Sequence, residues 1–243
     1  MQNIKEPLVS VVIPTYNRFE YLLDAIESVQ NQTYSNIEII VVNDCSTQEQ
    51  YYSFDFGSSV KIYHLPQNSK KIFGHPSGGY VRNYGCQMSS GKYIAFLDDD
   101  DIFLKNKIMD QVGMMEYLDI PFTCTNGYIG NGKYQSEKRY DKFLEHNHES
   151  VLKKFRQRNS EHLIVPKYPS VFTRKIIDVH NLIVTSSVMV NRQMFIEIGM
   201  FRHLPNGTED YDAWKRILDR YKCYYLSSPY FYYNNSHGDG QNY

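Results

Sequence analysis

Runs of apolar residues alternate with amphipathic segments through the first hundred residues of the chain. LVSVVI (8–13) and IEIIVV (37–42) are continuous and rich in β-branched residues, which is typical of strands buried on both faces of a parallel sheet. Apolar residues recur at helical spacing between them, so this region predicts a strand–helix–strand unit. A weaker strand at 60–65, a helix at 79–91 and a strand at 93–97 continue the alternation. The pattern predicts an α/β sheet layer.

The second half of the chain has a less regular pattern. It predicts a helix near 104–118, a strand near 121–125 and a strand over LIVTSSVMV (182–190). A short helix and turn at 194–201 and an amphipathic helix at 211–221 follow. Because no internal repeat or linker separates the two halves, the simplest organisation is one domain with two functional halves.

Composition and charge exclude some classes of protein. The chain has 243 residues, 42% of them hydrophobic and 22% charged, which argues against disorder and against a coiled coil. A formal net charge of -1 excludes a generally basic nucleic-acid binder. The charge is uneven, however, because residues 133–175 carry eleven Lys or Arg against five acids. This basic segment is therefore +6 and the rest of the chain is -7.

The cysteines and the start of the chain bear on its compartment. Cys45, Cys86, Cys124 and Cys223 are far apart and form no C-x-x-C pair, so we expect free thiols in a reducing compartment. The first apolar run has only six residues, too few for a signal-peptide core or a membrane span. We therefore expect a cytoplasmic protein.

Four consecutive aspartates, Asp98 to Asp101, follow the strand at 93–97 directly. In an open parallel sheet, ligands bind beyond the carboxyl ends of the strands. Carboxylates at positions i and i+2 of an extended chain are about 6.6 Å apart, which costs roughly 2–3 kcal/mol of repulsion at an effective dielectric constant near 20. A divalent cation shared with phosphates would offset this cost. The alternative is a solvated turn whose last aspartate caps a helix.

Two other predicted strands end in residues that can bind a nucleotide. In IPTYNR, the ring of Tyr16 could stack on a base and Arg18 could pair with a diphosphate. In VVNDCS, Asp44 could accept a hydrogen bond from a base edge or a ribose hydroxyl. Both segments also fit simple strand-to-helix turns with capping residues, Asn17 among them, so the local sequence leaves the two interpretations open.

Six motifs in one order give the chain a family resemblance. IPTYNR, VVNDCST, GGYVRNYG, GKYIAFLDDDD, VTSSVMV with IGMF, and GTEDYDAW resemble those of the inverting family 2 glycosyltransferases, over residues 8–221. The resemblance implies a GT-A fold, in which helices flank a Rossmann-like and mostly parallel α/β sheet. It also implies a single domain over residues 1–243, with a nucleotide-sugar half at 1–105 and an acceptor half at 106–243.

The resemblance assigns roles to the residues of the first half. Asp98-x-Asp100 looks like the D-x-D motif of the family, in which the last acid, here Asp100, holds Mn²⁺ or Mg²⁺. The run of four leaves the register open, so Asp99 and Asp101 have less certain roles. The residues that the resemblance places on the nucleotide are Pro14, Thr15, Tyr16, Arg18, Asp44, Arg82, Asp98 and Asp99.

The resemblance also supplies candidate catalytic residues in GTEDYDAW. Asp210 would be the general base and Glu209 a neighbour that binds the acceptor. An acceptor hydroxyl has a very high pKa, so a carboxylate must take its proton as the new bond forms. Capping of the helix is the alternative role for both acids. His237 is placed to complete the metal site, and its alternative is a mobile tail residue.

The expected function is metal-dependent inverting transfer of a hexosyl or N-acetylhexosaminyl group from a nucleotide-sugar, with UDP as the expected nucleotide. The acceptor would be a hydroxyl on a glycan, lipid-linked or protein substrate. Segment 133–175 suggests an anionic acceptor or peripheral contact with a membrane, and a solvated basic face is the alternative. A nucleotidyltransferase usually has a Gly-rich loop after its first strand, which IPTYNR is not. A catalytically silent nucleotide- or glycan-binding module would need no base such as Asp210.

Overall fold

One ten-stranded sheet extends through both halves of the chain. The computed structural model describes residues 6–205 and 207–237. The strands are β1 (Val9–Thr15), β2 (Ile37–Asn43), β3 (Val60–His64), β4 (Tyr93–Phe96), β5 (Ile102–Phe103), β6 (Phe122–Gly130), β7 (Asp141–Lys142), β8 (Val171–Phe172), β9 (Met189–Asn191) and β10 (Cys223–Asn234). The main path runs β3-β2-β1-β4-β9-β6-β10-β5, with β7 paired to β6 and β8 to β10.

Helices pack on both faces of this sheet. They are α1 (Phe19–Gln30), α2 (Gln50–Ser53), α3 (Ser69–Phe73), α4 (Gly78–Met88), α5 (Lys107–Leu118), α6 (Phe143–His146), α7 (His148–Gln157), α8 (Arg174–Ile177), α9 (Arg192–Glu197) and α10 (Glu209–Leu218). Short 3₁₀ turns lie at Glu161–Leu163, Thr185–Ser187 and Asn235–His237. Among the described residues, none of these helices combines the length and the apolar character that crossing a bilayer requires.

The first half has the predicted arrangement. Strands β3, β2, β1 and β4 are parallel neighbours, and every residue of β1 and β4 is buried. Helix α4 lies close against β1, since a Cβ on Gly85 would come 2.5 Å from Cγ1 of Val12. The α/β layer that the β-branched runs predict is therefore confirmed, and its parallel strands end on one side of the sheet.

The second half extends this layer with mixed pairing. Strand β9 pairs antiparallel with both β4 and β6, and β10 then runs parallel to β6. Strand β10 was not predicted from the sequence. Its pairing with β6 shifts register around Pro229, whose ring cannot donate to a sheet. This strand brings the end of the described chain back to the aspartate run, where the N–H of Asn234 donates to Asp101.

The predicted strand at 182–190 is wrong in its first part, because β9 begins only at Met189. The residues before it form a loop and the 3₁₀ turn Thr185–Ser187. The hydroxyl of Ser187 donates to the carbonyl oxygen of Val184, a local bond that competes with strand pairing. The loop that results lies against the carboxyl end of the sheet and, as shown below, forms part of the cavity wall.

Two hydrophobic clusters cover the two faces of the sheet. Trp214 of α10 is fully buried in one cluster, where its ring stacks on Phe122 of β6 and contacts Phe201 edge-on. The other cluster packs α1 and α5 on the opposite face. The four cysteines form no disulfide, as predicted. Because the packing of Trp214 fixes α10 against the sheet, it also fixes the positions of Glu209 and Asp210, the first two residues of this helix.

Candidate functional site

A cavity of about 470 Å³ lies beyond the carboxyl ends of β1 and β4. Charged residues form one end of it. Helix α7 and the loop before β9 form the other end, with apolar and amide side chains. The charged end is defined by Arg18, His75, Pro76, Gly78, Arg82, Asp98 and Asp100, which come from the loops after β1 and β4 and from the start of α4 with the residues before it. Glu209 and Asp210 of α10 line the cavity together with Thr185, and the remaining wall contains Phe143, Leu144, Asn147, Ser150, Val151, His180, Asn181, Leu182 and Ile183 from α6, α7 and the loop before β9.

The four aspartates point alternately into and away from the cavity. Asp98 and Asp100 line it, whereas Asp99 and Asp101 are each only 1% exposed. Asp101 accepts a hydrogen bond from the backbone of Asn234, and burial raises its pKa well above the usual range. The register that the sequence left open therefore has a geometric answer, because the pair that faces the cavity is Asp98-x-Asp100.

Asp99 belongs to a buried network beneath the cavity floor. Thr15 donates from Oγ1 to Oδ2 of Asp99 over 2.8 Å, and its hydroxyl lies 2.7 Å from that of Tyr51. The hydroxyl oxygen of Tyr51 in turn accepts from the backbone N–H of Arg18. This network fixes the loop after β1. The role of Tyr51 was missed in the sequence, because the residue lies 36 positions from Thr15.

Two arginines hold the charged end of the cavity together. Nη1 of Arg18 lies 3.0 Å from both Asp99 and Asp100, and Nη2 of Arg82 lies 2.5 Å from Asp98. Burial raises the pKa of Asp99, and the guanidinium of Arg18 opposes this rise. Cationic and anionic groups are thus interleaved here, which suits a ligand that brings negative charge and a counter-ion together.

Helices α4 and α10 meet at their first residues. Oε1 of Glu209 accepts from the backbone N–H of Gly79 over 3.2 Å and lies 3.7 Å from Nη1 of Arg82. A Cβ on Gly79 would come 2.7 Å from Cγ of Glu209 and 2.9 Å from Cβ of Phe201. Only glycine permits this approach, which explains the glycine pair at the start of α4. Glu209 therefore binds the two helices together besides facing the cavity.

Asp210 faces the middle of the cavity from the first turn of α10. Its Oδ2 accepts from the hydroxyl of Thr185 over 3.3 Å. Burial and the neighbouring Glu209 raise the pKa of Asp210 to about 7, although Arg82 opposes the shift. A carboxylate with such a pKa can both take and release a proton near neutral pH. The hydroxyl-rich segment V-T-S-S is the sequence signal that could have identified Thr185.

Asp44, which the resemblance places on the nucleotide, is buried and bonded to α3. It is 1% exposed, and it accepts from both the backbone N–H and the hydroxyl of Ser69, each over 2.7 Å. Burial raises the pKa of Asp44 to about 6 against these bonds. Of the residues predicted to contact the nucleotide, Arg18, Arg82 and Asp98 line the cavity, whereas Pro14, Thr15, Tyr16, Asp44 and Asp99 do not.

A divalent cation would find few protein ligands here. Within 6–205 and 207–237, no cluster of three or more His, Cys, Asp or Glu side chains could hold a metal. Asp100 and Asp98 do face the cavity, and carboxylates that share a hard cation with phosphates are a common arrangement for Mg²⁺ and Mn²⁺. The residues fit an ion that takes most of its ligands from a bound diphosphate. The side chain of His237 lies outside the described residues.

Comparisons with known proteins identify the family to which the chain belongs. Residues 10–179 match the family described as "Glycosyl transferase family 2". The "Uncharacterized glycosyltransferase RP339" of Rickettsia prowazekii is 32% identical over 232 residues, which is 95% of this chain and 63% of the relative. The glycosyltransferase of Rickettsia felis is 33% identical, over 89% of this chain and 32% of its own length. The chain thus spans less than two thirds of these relatives.

A further relative and a solved structure are informative about chemistry and fold. The "UDP-Glc:alpha-D-GlcNAc-diphosphoundecaprenol beta-1,3-glucosyltransferase WfaP" of Escherichia coli is 34% identical over 122 residues, 50% of this chain and 47% of that protein. The crystal structure of S. aureus TarS 1-349 in complex with UDP-GlcNAc superposes with a TM-score of 0.68 at 19% identity, over 96% of this chain and 60% of that one. This likeness shows a shared fold.

We predict that Gly79→Ala damages the junction of α4 and α10. The new methyl group must displace Glu209 or Phe201, which we expect to lower the free energy of unfolding by about 1–3 kcal/mol. Denaturant unfolding measures this change. Gly113→Ala is the matched control, because Gly113 lies within α5 with open space around it, so alanine there should stabilise by roughly 0.5–1 kcal/mol. Equal effects of the two substitutions would contradict the prediction.

Proposed function

Since this chain belongs to glycosyl transferase family 2, we propose that it catalyses metal-dependent, inverting transfer of a sugar from a UDP-linked donor to an acceptor hydroxyl. The chain has the GT-A fold expected from its motifs, as the superposition on TarS shows. The observation that carries the proposal is the position of Asp210, which faces the same cavity as Asp98, Asp100 and Arg18. The family favours this activity over a nucleotidyltransferase or a silent binding module.

The charged end of the cavity would bind the diphosphate of the donor. Arg18 and Arg82 supply planar guanidinium groups that match phosphate oxygens, and both already lie against the cavity. The choice of UDP rests on the UDP-Glc in the name of the WfaP relative and on the UDP-GlcNAc bound to TarS. We propose a hexosyl or N-acetylhexosaminyl group as the transferred sugar on the same grounds.

Asp100 would hold a Mn²⁺ or Mg²⁺ ion against the diphosphate, with Asp98 beside it. When bound, such an ion supplies positive charge that stabilises the departing nucleoside diphosphate. Arg18 would then exchange part of its contact with Asp100 for the phosphates. His237 remains a proposed further ligand.

Asp210 would act as the general base on the acceptor side. Its raised pKa makes it a stronger proton acceptor than an ordinary aspartate, and Thr185 fixes the orientation of its carboxylate. A base on the face of the sugar opposite the leaving group produces inversion, because the hydroxyl attacks as the diphosphate leaves from the other side. Glu209, held by Gly79 and Arg82, would contribute to acceptor binding.

The acceptor would occupy the end of the cavity beside α7. Its wall is largely apolar, with amide side chains that can hydrogen-bond sugar hydroxyls. The WfaP relative acts, by its name, on a sugar linked to diphosphoundecaprenol, and we propose a lipid-linked acceptor for this chain also. A cytoplasmic position at the membrane surface, with the basic segment 133–175 near the lipid, is part of this proposal.

We predict that Asp210→Asn removes turnover and leaves donor binding intact. Loss of a general base lowers the rate by about 10²–10⁴-fold, while the diphosphate contacts at the other end of the cavity are unchanged. Sugar transfer and calorimetric binding of UDP-sugar measure the two effects. Asp219→Asn is the matched control, since Asp219 lies just after α10 and is exposed. Unchanged turnover of Asp210→Asn would contradict the assigned base.

We predict that kcat/KM rises with pH until about 7 and then levels. The base must be ionised to accept a proton, and the pKa of Asp210 is about 7, so the rate should fall nearly tenfold per pH unit below that value. A profile of kcat/KM against pH from 5.5 to 8.5 measures this, because that ratio reports the pKa of the substrate-free enzyme. Thermal unfolding at each pH serves as the control, because Asp44 titrates at about 6. A flat profile across pH 7 would contradict the prediction.

We predict that Mn²⁺ tightens UDP binding and that Asp100→Asn abolishes this effect. In the proposed site, the carboxylate of Asp100 is the protein ligand of an ion that is otherwise bound by the diphosphate. Without this ligand, the variant should bind UDP equally with Mn²⁺ and with chelator. Calorimetry under both conditions measures the difference. The control is Asp55→Asn, an exposed loop aspartate outside the cavity wall. Full turnover of the wild-type protein in chelator would contradict the proposed metal dependence.

A further inference from the structure

A lysine and a histidine face each other at the outer end of the acceptor side. Nζ of Lys154 lies 3.3 Å from both ring nitrogens of His180, and His180 itself lines the cavity. Burial lowers the pKa of His180, and the ammonium of Lys154 lowers it further. The neutral imidazole that this lowered pKa favours can accept a hydrogen bond from the ammonium, so the pair as a whole carries one positive charge.

Helix α7 places Lys154 in line with the cavity wall. Asn147, Ser150 and Val151 line the cavity, and Lys154 follows Val151 by three residues and Ser150 by four, so it lies on the same face. Asn147 and Lys154 are about 10 Å apart along the helix axis. Lys153 is rotated by about 100° from this face. Lys154, alone of this adjacent pair, therefore lies on the helix face that lines the cavity, and it reaches the cavity wall through its contact with His180.

The acid that stands nearest to His180 in the sequence, Asp178, already has a cationic partner. Asp178, two residues before His180, forms an ion pair with Arg174 over 2.9 Å. Arg158, one turn beyond Lys154, donates to the carbonyl oxygen of Asp178 and so fixes the loop that carries His180. Throughout the part of the chain that the structure describes, no carboxylate lies within ion-pair distance of Lys154 or of His180. The pair is thus positioned and lacks an anionic partner.

We propose that Lys154 and His180 bind a phosphate group attached to the acceptor sugar. The inference rests on the proposed function, in which Asp210 receives a proton from the acceptor hydroxyl, and adds the group that determines which acceptors are used. The sugar would lie between Asp210 and the amide side chains of Asn147 and Asn181. Its phosphate or diphosphate would then lie at His180, within reach of the exposed side chain of Lys154. Recognition of this kind selects glycosyl phosphates over neutral glycans.

The test compares acceptors that share a sugar and differ in their phosphate. Alkyl GlcNAc, GlcNAc diphosphate on a short alkyl chain and GlcNAc-diphosphoundecaprenol are titrated by calorimetry into protein saturated with UDP, which occupies the donor end. Lys154→Gln should weaken binding of both diphosphates about tenfold to a hundredfold, as expected for loss of a charged hydrogen bond, and leave alkyl GlcNAc unchanged. His180→Gln should act in the same direction. Lys153→Gln is the matched control and should change none of the three.

The outcomes separate the inference from the proposed function. Equal weakening of the neutral and the diphosphate acceptors by Lys154→Gln, or no weakening, would overturn the inference, as would absence of diphosphate binding in the wild type. An effect confined to the undecaprenyl compound, or loss of binding only to phosphatidylglycerol vesicles, would assign Lys154 to the membrane and also overturn it. Phosphate-dependent binding without sugar transfer would instead overturn the proposed function and leave the phosphate site standing.

Discussion

The ion pairs between two arginines and the aspartate run are the interaction on which the site depends. Four consecutive carboxylates at the end of β4, two of them buried, would repel one another and resist burial without nearby cations. Arg18 reaches them from the loop after β1, and Arg82 reaches them from α4. Because Arg82 also contacts Glu209, the same charges connect the sheet edge to α10. Electrostatic compensation therefore sets the relative positions of the four elements around the cavity.

The chemistry of the side chains in the cavity wall changes from the charged end to the other end. Guanidinium and carboxylate groups concentrate at one end, a single aspartate with a raised pKa faces the middle, and apolar and amide groups continue to the basic pair at the other end. The donor diphosphate, the reacting hydroxyl and the acceptor phosphate that we propose would each meet a different environment along this line. Apart from the Arg18–Asp100 contact, which we propose is partly exchanged for phosphate, these charges are in place before a substrate binds, and such preorganisation is a main source of electrostatic catalysis.

A secondary-structure element could be predicted from the sequence where neighbouring residues determine it, and not where distant contacts do. Strands β1 and β2 were predictable because continuous β-branched runs have few other stable environments than a buried parallel sheet. The predicted strand at 182–190 failed over most of its length because hydroxyl groups at Thr185–Ser187 bond locally and across to Asp210. Strand β10 escaped prediction because it is interrupted around Pro229, and only its long pairing with β6 makes it a strand.

The amino-acid sequence by itself determined the α/β class, the family and the residue types available for chemistry, because these follow from local periodicity and from motifs in a fixed order. Tertiary structure decided which of these residues share a site. It turned Asp98 and Asp100 to the cavity, committed Asp44 to Ser69, and set Lys154 against His180. Asp44 and Ser69 are 25 positions apart in the sequence, and Lys154 and His180 are 26 positions apart. No local sequence pattern encodes contacts over such separations. The Asp44–Ser69 contact exists only once packing has removed water from the carboxylate, which then needs donors from the protein.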